Sequence, residues 1–540
     1  MHLIARLVLV LLGLGAGLRA APTVVDSAIP VGTIGPYPEG DPKMLDEFRK
    51  QKWAEQNFSD MREGQSLAFT ETKTGLTQPF RLYVPEKIVP GVKYPVILHL
   101  HGHGERGRDN KYTELHLVEA RLFLTKKGAA RFPCFVVAPQ CGEDEYWGTR
   151  KENGDIADCL RLAVGTVCSL SKNATYRDFH DSVDEDRIYG TGLSSGGEGA
   201  WQLAAEFPDI FAAAAPVASG VDAKWLTRQK LKIPFWAFFS SDDSVYGPDG
   251  TWETWHAARG ADGASDRRLT VFSTGLHYGH GSWRGAYTEE EFADWLFRQR
   301  KGQPFAPERA SGSRSLLDFT FDEAVKSNGL ETKDLRTGLK ARYVGAKADS
   351  FRVIAPGIQG AGMVLPGDGS HLLLPAADAG RVFADDRGPF SVSLWVKWNR
   401  LDNEQTLISG DVAHQHNWRW FVTANGDLAF DMPGAERVET RHLGLKADAR
   451  FHHLVVTCQP DRVEFFCDGR TVSIFRGKFT IRPAACDWRL GADLAGGTPL
   501  DGVVDQLLVS SGLWNRDDVW QLHELKPLLQ DPVDPQLSLR

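Results

Sequence analysis

Ser194 lies between Gly192 and Gly196 in the run Tyr189–Gly197 (YGTGLSSGG), a Gly-x-Ser-x-Gly pattern. Arg187–Tyr189 reads as a buried strand leading into it. Ala200, Leu203, Ala204 and Phe207 follow at the three- and four-residue spacing of one helical face. The pattern therefore predicts a sharp strand-to-helix turn. Such a turn holds its serine in a strained backbone conformation, so the neighbours must lack bulk. It offers the hydroxyl to solvent, and the helix N-terminus behind it presents N–H groups to a developing oxyanion. That chemistry is nucleophilic attack by Ser194.

An activated serine needs a base, an acid that orients the base, and an oxyanion hole. The chain order Ser, Asp, His, each on a loop after a strand, supplies candidates. The run Pro234–Phe239 ends in Ser240–Ser244 (SSDDS), where Asp242 and Asp243 compete and Asp243 is favoured as the acid. Leu269–Phe272 leads to two histidines, His277 and His280. His280, with glycine on each side and Trp283 beyond, is the expected base. Val96–His101 runs into Gly102–Gly107 (GHGERG), whose small residues allow close backbone approach. The backbone N–H groups of His103 and Ser195 are the expected oxyanion donors, each worth on the order of 3–4 kcal/mol.

The elements that must hold these loops alternate from about Gln65 onward. Candidate strands are Phe80–Val84, Val96–His101, Phe135–Ala138, Arg187–Gly190, Ala212–Ala218, Phe235–Phe239 and Leu269–Phe272. Helical patterns intervene, and Glu289–Arg300 closes the region as a helix with Phe292, Trp295 and Leu296 inward. This predicts an α/β doubly wound, mostly parallel sheet covered by helices.

Five motifs in order carry a resemblance: Leu98–Gly107, Val137–Cys141, Asp184–Tyr189, Thr191–Gly197 and His280–Trp283. Residues 65–300 resemble the secreted α/β-hydrolase esterases labelled "predicted peptidase" or phospholipase/carboxylesterase, close to the polyhydroxybutyrate depolymerase and feruloyl esterase groups. The resemblance implies Ser194, Asp243 and His280 as triad, and it puts Trp147 near the substrate mouth. Glu198 and Trp283 join Trp147 as expected substrate-side residues. His103 stands where the family has a small residue, and Glu198 where it has an aromatic or apolar one.

Past residues 303–314, a linker rich in Pro, Ala, Ser and Arg, the pattern changes to short alternating strands. Examples are Phe390–Val396, Trp418–Thr423, Leu454–Cys458 and Val463–Cys467, separated by turns at Ala424–Asp427 and Asp468–Gly469. These predict an all-β jelly-roll sandwich. With Phe451–Val456, Phe466–Gly469, Leu490–Ala492 and Asp501–Asp505, residues 315–515 resemble laminin-G-like, concanavalin-type domains. Such domains bind glycans, some with Ca²⁺, while many serve only as spacers; Asp411, Asp493 and Asp505 are candidate ligands of a structural ion, with turn-capping the competing use.

At 540 residues the chain exceeds one core. Its 62 Lys and Arg against 70 Asp and Glu give a net charge of −8, with no basic run, which argues against nucleic-acid binding. Arg6 followed by the apolar run Leu7–Leu14 and then Ala20–Pro22 reads as an export signal over 1–21, implying a secreted or periplasmic protein with no transmembrane segment. Residues 22–64 form a lead-in, with an amphipathic helix from Pro42 to Met61 packing through Leu45, Phe48 and Trp53. Residues 65–302 form the hydrolase-like unit, and 516–540 a C-terminal tail. Seven cysteines leave one or more unpaired. Cys458 and Cys467 flank a hairpin turn, where they either face each other or serve as small buried residues. The expectation is an exported serine esterase needing no metal or organic cofactor, acting on an acylated polysaccharide or other ester. A peptidase or polyester depolymerase on the same triad, and an inactive glycan-binding or adhesion protein, are the alternatives.

Overall fold

The computed structural model describes residues 29–38, 61–110, 121–172, 180–229, 231–259, 266–303, 314–322, 324, 331–345, 354–377, 389–412, 415–432, 436–479, 486–493 and 497–524. The expected export signal, the lead-in helix apart from Met61, and the linker over 304–313 lie outside these residues.

The first half is built on nine strands: β1 (Gly32–Pro36), β2 (Gln65–Glu71), β3 (Thr77–Tyr83), β4 (Tyr94–Leu100), β5 (Phe135–Pro139), β6 (Val183–Leu193), β7 (Ala213–Val217), β8 (Phe235–Ser240) and β9 (Arg267–Phe272). They pair in the order β1-β2-β3-β5-β4-β6-β7-β8-β9. From β5 to β9 every pairing is parallel; β1–β3 form an antiparallel flank that the sequence pattern only partly foresaw. Side chains alternate between two apolar layers, as strand geometry requires. Val96, Leu98 and Leu100 face one layer while Ile97 faces the other, and Phe235, Ala237 and Phe239 oppose Trp236 and Phe238. The first layer is closed by helices Asp158–Leu170, Ser195–Glu206 and Pro248–Arg259, the second by Glu290–Arg298 with Phe292, Trp295 and Leu296 fully buried.

The second half is a pair of antiparallel sheets. One runs Glu331–Lys333, Lys340–Val344, His371–Leu374, Asp487–Leu490, Gln405–Val412, Gln415–Val422, Leu428–Asp431, Val438–Glu439. The other centres on Asp501–Ser511, which pairs with Arg314–Phe319 and Ala361–Pro366 on one edge and Phe390–Trp398 on the other. His452–Gln459, Arg462–Cys467 and Arg470–Arg476 extend it outward. Phe390 on one sheet meets Trp418 and Trp488 on the facing sheet, with ring centroids 5.6 and 6.4 Å apart. The expected tail also contains structure: helix Arg516–His523 is capped by reciprocal bonds between Asn515 and Asp518.

The hairpin cysteines do not face each other. Register pairs Gln459 with Arg462, so Cys458 sits opposite Val463 and Cys467 opposite Leu454; both are buried free thiols. Asp505 is fully buried, and its carboxylate accepts the N–H groups of Ile358, Gln359 and Gln506 at 2.8–3.2 Å. Asp493 likewise accepts from Gly497 and from the Thr498 hydroxyl. Loop capping is thus the observed use of both. The side chain of Asp411 lies outside the described residues.

The two halves share one sheet, which their sequence patterns, each complete in itself, did not announce. Arg470–Arg476 adds to β9 in parallel, pairing Ile474 with Thr270, Phe475 with Val271 and Arg476 with Phe272. Charges lock the seam. Arg476 reaches Glu289 at 3.0 Å, Arg462 bridges Glu291 at 2.7 Å and Glu464 at 2.6 Å, and Arg516 reaches the fully buried Asp266 at 2.7 Å. Breaking a buried pair on one side strands the other charge. Arg462→Met is accordingly expected to destabilise the full chain by roughly 3 kcal/mol in denaturant unfolding, and Arg462→Met/Glu464→Leu to recover most of that loss. Equal stability of the single variant and the parent would contradict the ionic account of the seam.

Candidate functional site

β6 ends at Leu193 and the next helix starts at Ser195. Ser194 between them has φ 54° and ψ −121°, a conformation that costs an L-residue on the order of 1–3 kcal/mol. It is held by three backbone bonds: its N–H donates to Val217 at 3.0 Å, and its carbonyl accepts from Gly197 and Glu198 at 2.9 and 3.1 Å. The flanking glycines are sterically required. A Cβ on Gly192 would lie 2.4 Å from the Gly196 carbonyl oxygen, and one on Gly196 would lie 2.1 Å from that of Leu100 at the end of β4.

His280, in the short turn Gly279–Gly281 after β9, places Nε2 2.9 Å from Ser194 Oγ and Nδ1 3.0 Å from Asp243 Oδ2. Asp243 lies on the loop after β8 and is 2% exposed. Burial pushes its carboxyl up, but the bond to His280 and the N–H groups of Val245 and Tyr246 outweigh this, so it is held below the usual aspartate range. An ionised Asp243 can only accept, so Nδ1 carries the imidazole proton. Nε2 is left with a lone pair toward the Ser194 hydroxyl. The two competing residues stand aside. Asp242 accepts the Gly279 N–H at 3.0 Å and a bond from Ser240, shaping the loop that bears His280. His277 occupies a left-handed position at φ 54° in the same loop.

The β4 loop passes directly over the serine: a Cβ on Gly102 would lie 3.7 Å from that of Ser194. His103 opens the 3₁₀ turn His103–Glu105. Its ring is exposed, bonded to Arg106 and 5.3 Å from Tyr146. Ser195 is buried as the first residue of the helix. Beneath the loop, the buried His101 ring accepts the Cys141 N–H at 3.0 Å and bonds the Gly102 carbonyl at 2.6 Å, tying β4 to the segment after β5.

Of the expected substrate-side residues, Trp283 stands edge-on to His280 at 5.3 Å, and Glu198 accepts the Tyr246 hydroxyl at 2.6 Å. Burial pushes the Glu198 carboxyl up, and that bond opposes the shift. Trp147 is a correction. It is fully buried, packed at 5.1 Å against the His101 ring and over Gly199, so it supports the loop from below and does not line a mouth. Tyr246 went unread in the sequence. Its ring stacks on His280 at 5.7 Å and its N–H reaches Asp243, yet only its spacing of three from Asp243 could have signalled this.

Among the described residues, two clusters are spaced to hold a metal ion: Cys141, Glu145 and Cys159, and His452, Cys467 and Asp468. Neither includes Asp493, Asp505 or a member of the serine site. Among the described residues no helix is long and apolar enough to cross a membrane.

Residues 366–519 match the Laminin_G_3 family of the concanavalin A-like lectin/glucanases superfamily, so the second half carries a concanavalin-like domain. No curated protein matches the chain. Among solved structures, the chain is similar to a thermostable esterase at 33% identity and TM-score 0.39, over 45% of this chain and 64% of the esterase. Domain 4 of AbnA, an extracellular arabinanase of Geobacillus stearothermophilus in complex with arabinotriose, is similar at 21% identity and TM-score 0.31, over 39% of this chain and 98% of that one. A Trypanosoma rangeli sialidase is similar at 13% identity and TM-score 0.30, over 41% and 34%.

Because Gly196 abuts the Leu100 carbonyl, Gly196→Ala must displace either the turn or β4. Its expected cost is about 2–3 kcal/mol, read as a lowered denaturation midpoint. An unchanged midpoint would show that the turn is not confined as described.

Proposed function

We propose that the chain is an α/β-hydrolase-type serine esterase joined to a concanavalin-like domain. The observation that carries this reading is the unbroken hydrogen-bond chain from Ser194 Oγ through His280 to the buried Asp243, with Ser194 held at a positive φ.

In the mechanism, Ser194 Oγ attacks an ester carbonyl while His280 Nε2 takes its proton. Asp243, ionised and bonded to Nδ1, orients the ring and stabilises the imidazolium that forms. The oxyanion of the tetrahedral intermediate rests on the backbone N–H groups of His103 and Ser195. Collapse expels the alcohol, which takes the proton from His280, and leaves an acyl-serine. Water, deprotonated by His280, attacks this acyl group; release of the acid returns the proton to Ser194.

The concanavalin-like domain supports a carbohydrate-linked substrate, since the lectin and glucanase families that share its fold act on glycans. An acylated polysaccharide bearing acetyl, feruloyl or uronate esters satisfies both halves. Because the lectin-like sheet is bonded through Arg470–Arg476 to the strand that precedes His280, a bound polymer would be held at a fixed distance from the serine.

Hydrolysis of p-nitrophenyl acetate and methyl ferulate by the full chain tests the reading. Ser194→Ala is expected to abolish turnover, and Asp243→Asn to lower kcat by roughly 10³–10⁴-fold, since the amide selects the wrong imidazole tautomer. Turnover that survives in Ser194→Ala would overturn the assignment. No turnover in the parent would favour an inactive glycan-binding protein.

A further inference from the structure

A cavity of about 190 Å³ opens at the seam between the two halves, lined by Arg259, Arg267, Arg470, Arg516, Asp517 and Trp520. It is remote from the serine. Arg267 opens β9 and His280 follows its end, and the six residues of that strand span roughly 17 Å. Four guanidinium groups and one carboxylate share the wall. Arg516 reaches Asp266 at 2.7 Å, and Arg267 donates to the carbonyls of Arg259 and Leu231. The Arg259 side chain differs: among the described residues it makes no hydrogen bond and no ion pair. Asp468 acts on it, but that carboxylate accepts the His453 N–H at 2.9 Å and bonds His452 Nδ1 at 3.0 Å. Arg259 is half-buried, and none of its nitrogens is sealed from water. Burial pushes its pKa down, and the charge of Arg470 acts in the same direction. Arginine keeps its charge at any working pH, so two such groups confined together are costly until an anion joins them.

Beside these cations stands an aromatic ring. Trp520, on helix Arg516–His523, is 46% exposed. Its inner side packs on the Asp468–Gly469 turn, where a Cβ on Gly469 would lie 2.8 Å from the indole. The ring is thereby fixed at the rim of the cavity with nearly half its surface open.

We infer that this cavity binds the acidic group of an anionic glycan, a uronate carboxylate or a sulfate ester, between Arg259 and Arg470, with the adjoining sugar ring on Trp520. Guanidinium forks match the paired oxygens of either group, and an indole covers the apolar side of a ring while leaving its hydroxyls in water. The space equals about six waters at ~30 Å³ each, so it admits the acidic group and not a whole chain. Arg470 and Arg516 lie within the concanavalin-like domain, which favours a glycan. A nucleic-acid backbone is disfavoured, because the chain carries a net charge of −8 with no basic run to track successive phosphates. The inference stands apart from the chemistry of Ser194.

The test is calorimetric titration of the full chain with trigalacturonate, a sulfated galactan disaccharide, neutral galactotriose and sodium sulfate. One acidic oligosaccharide is expected to bind at least about tenfold more tightly than the neutral one, and to weaken as NaCl is raised. The tighter of the two identifies carboxylate or sulfate as the group held. Arg259→Gln and Arg470→Gln should each weaken that binding about tenfold or more. Arg259→Gln should keep or raise the denaturation midpoint, since it removes a half-buried charge without a partner. Equal binding of the neutral and acidic oligosaccharides overturns the site, as does acidic binding untouched in both variants or no binding at all. Inorganic sulfate binding as tightly as the oligosaccharides, with Trp520→Ala without effect, overturns the glycan assignment. Salt dependence and the neutral comparison are read on the parent, so the test survives a variant that fails to fold.

Discussion

The structure depends on one tight contact. Gly192 and Gly196 let the turn after β6 press against the carbonyls of Leu100 and His101, close enough that no side chain fits between. That closeness brings the Gly102–His103 loop against Ser194. It also holds Ser194 at a positive φ that a relaxed chain would leave. The cost is met by the fully buried strands on either side, β4, whose Leu100 carbonyl abuts Gly196, and β7, whose Val217 carbonyl accepts the Ser194 N–H. A parallel sheet suits this task because all its loops of one end converge. The acid after β8 and the histidine after β9 reach the serine from neighbouring strands without long excursions.

The second dependence is the seam. Parallel addition of Arg470–Arg476 to β9 covers a sheet edge that would otherwise present unpaired backbone groups. Trp252, from helix Pro248–Arg259, meets Phe475 across it at 6.4 Å, so the apolar layer continues from one half to the other. The histidine loop begins at Ser273, whose N–H donates to the Arg476 carbonyl at 2.9 Å. The concanavalin-like half thus supports one wall of the serine site.

Much of this was legible in sequence because it follows from local periodicity and from residues whose chemistry is rare. Short apolar runs announced β4 to β9, and Ser194, Asp243 and His280 were marked by loops rich in small residues. What was not legible needed long-range geometry. Trp147 looked like a rim residue by position, yet its burial depends on a glycine fifty-two residues later, Gly199. Strand β1 is a five-residue edge piece with one buried side chain, and in β2 the short apolar run Leu67–Phe69 is flanked by polar residues. Of the two readings left open for Cys458 and Cys467, small buried residues is the one observed, and counting outward from the two-residue turn fixes their partners. Nothing local in Arg470–Arg476 says that one edge joins a sheet two hundred residues upstream.

The most direct measurement of the central claim is peptide mapping by mass spectrometry after reaction of the full chain with a fluorophosphonate, which phosphonylates only serines activated by a neighbouring base. The account predicts a single adduct, on the peptide carrying Ser194, formed rapidly in the parent and nearly lost in His280→Ala. An adduct on another serine, or labelling of Ser194 at the same rate without His280, would contradict it.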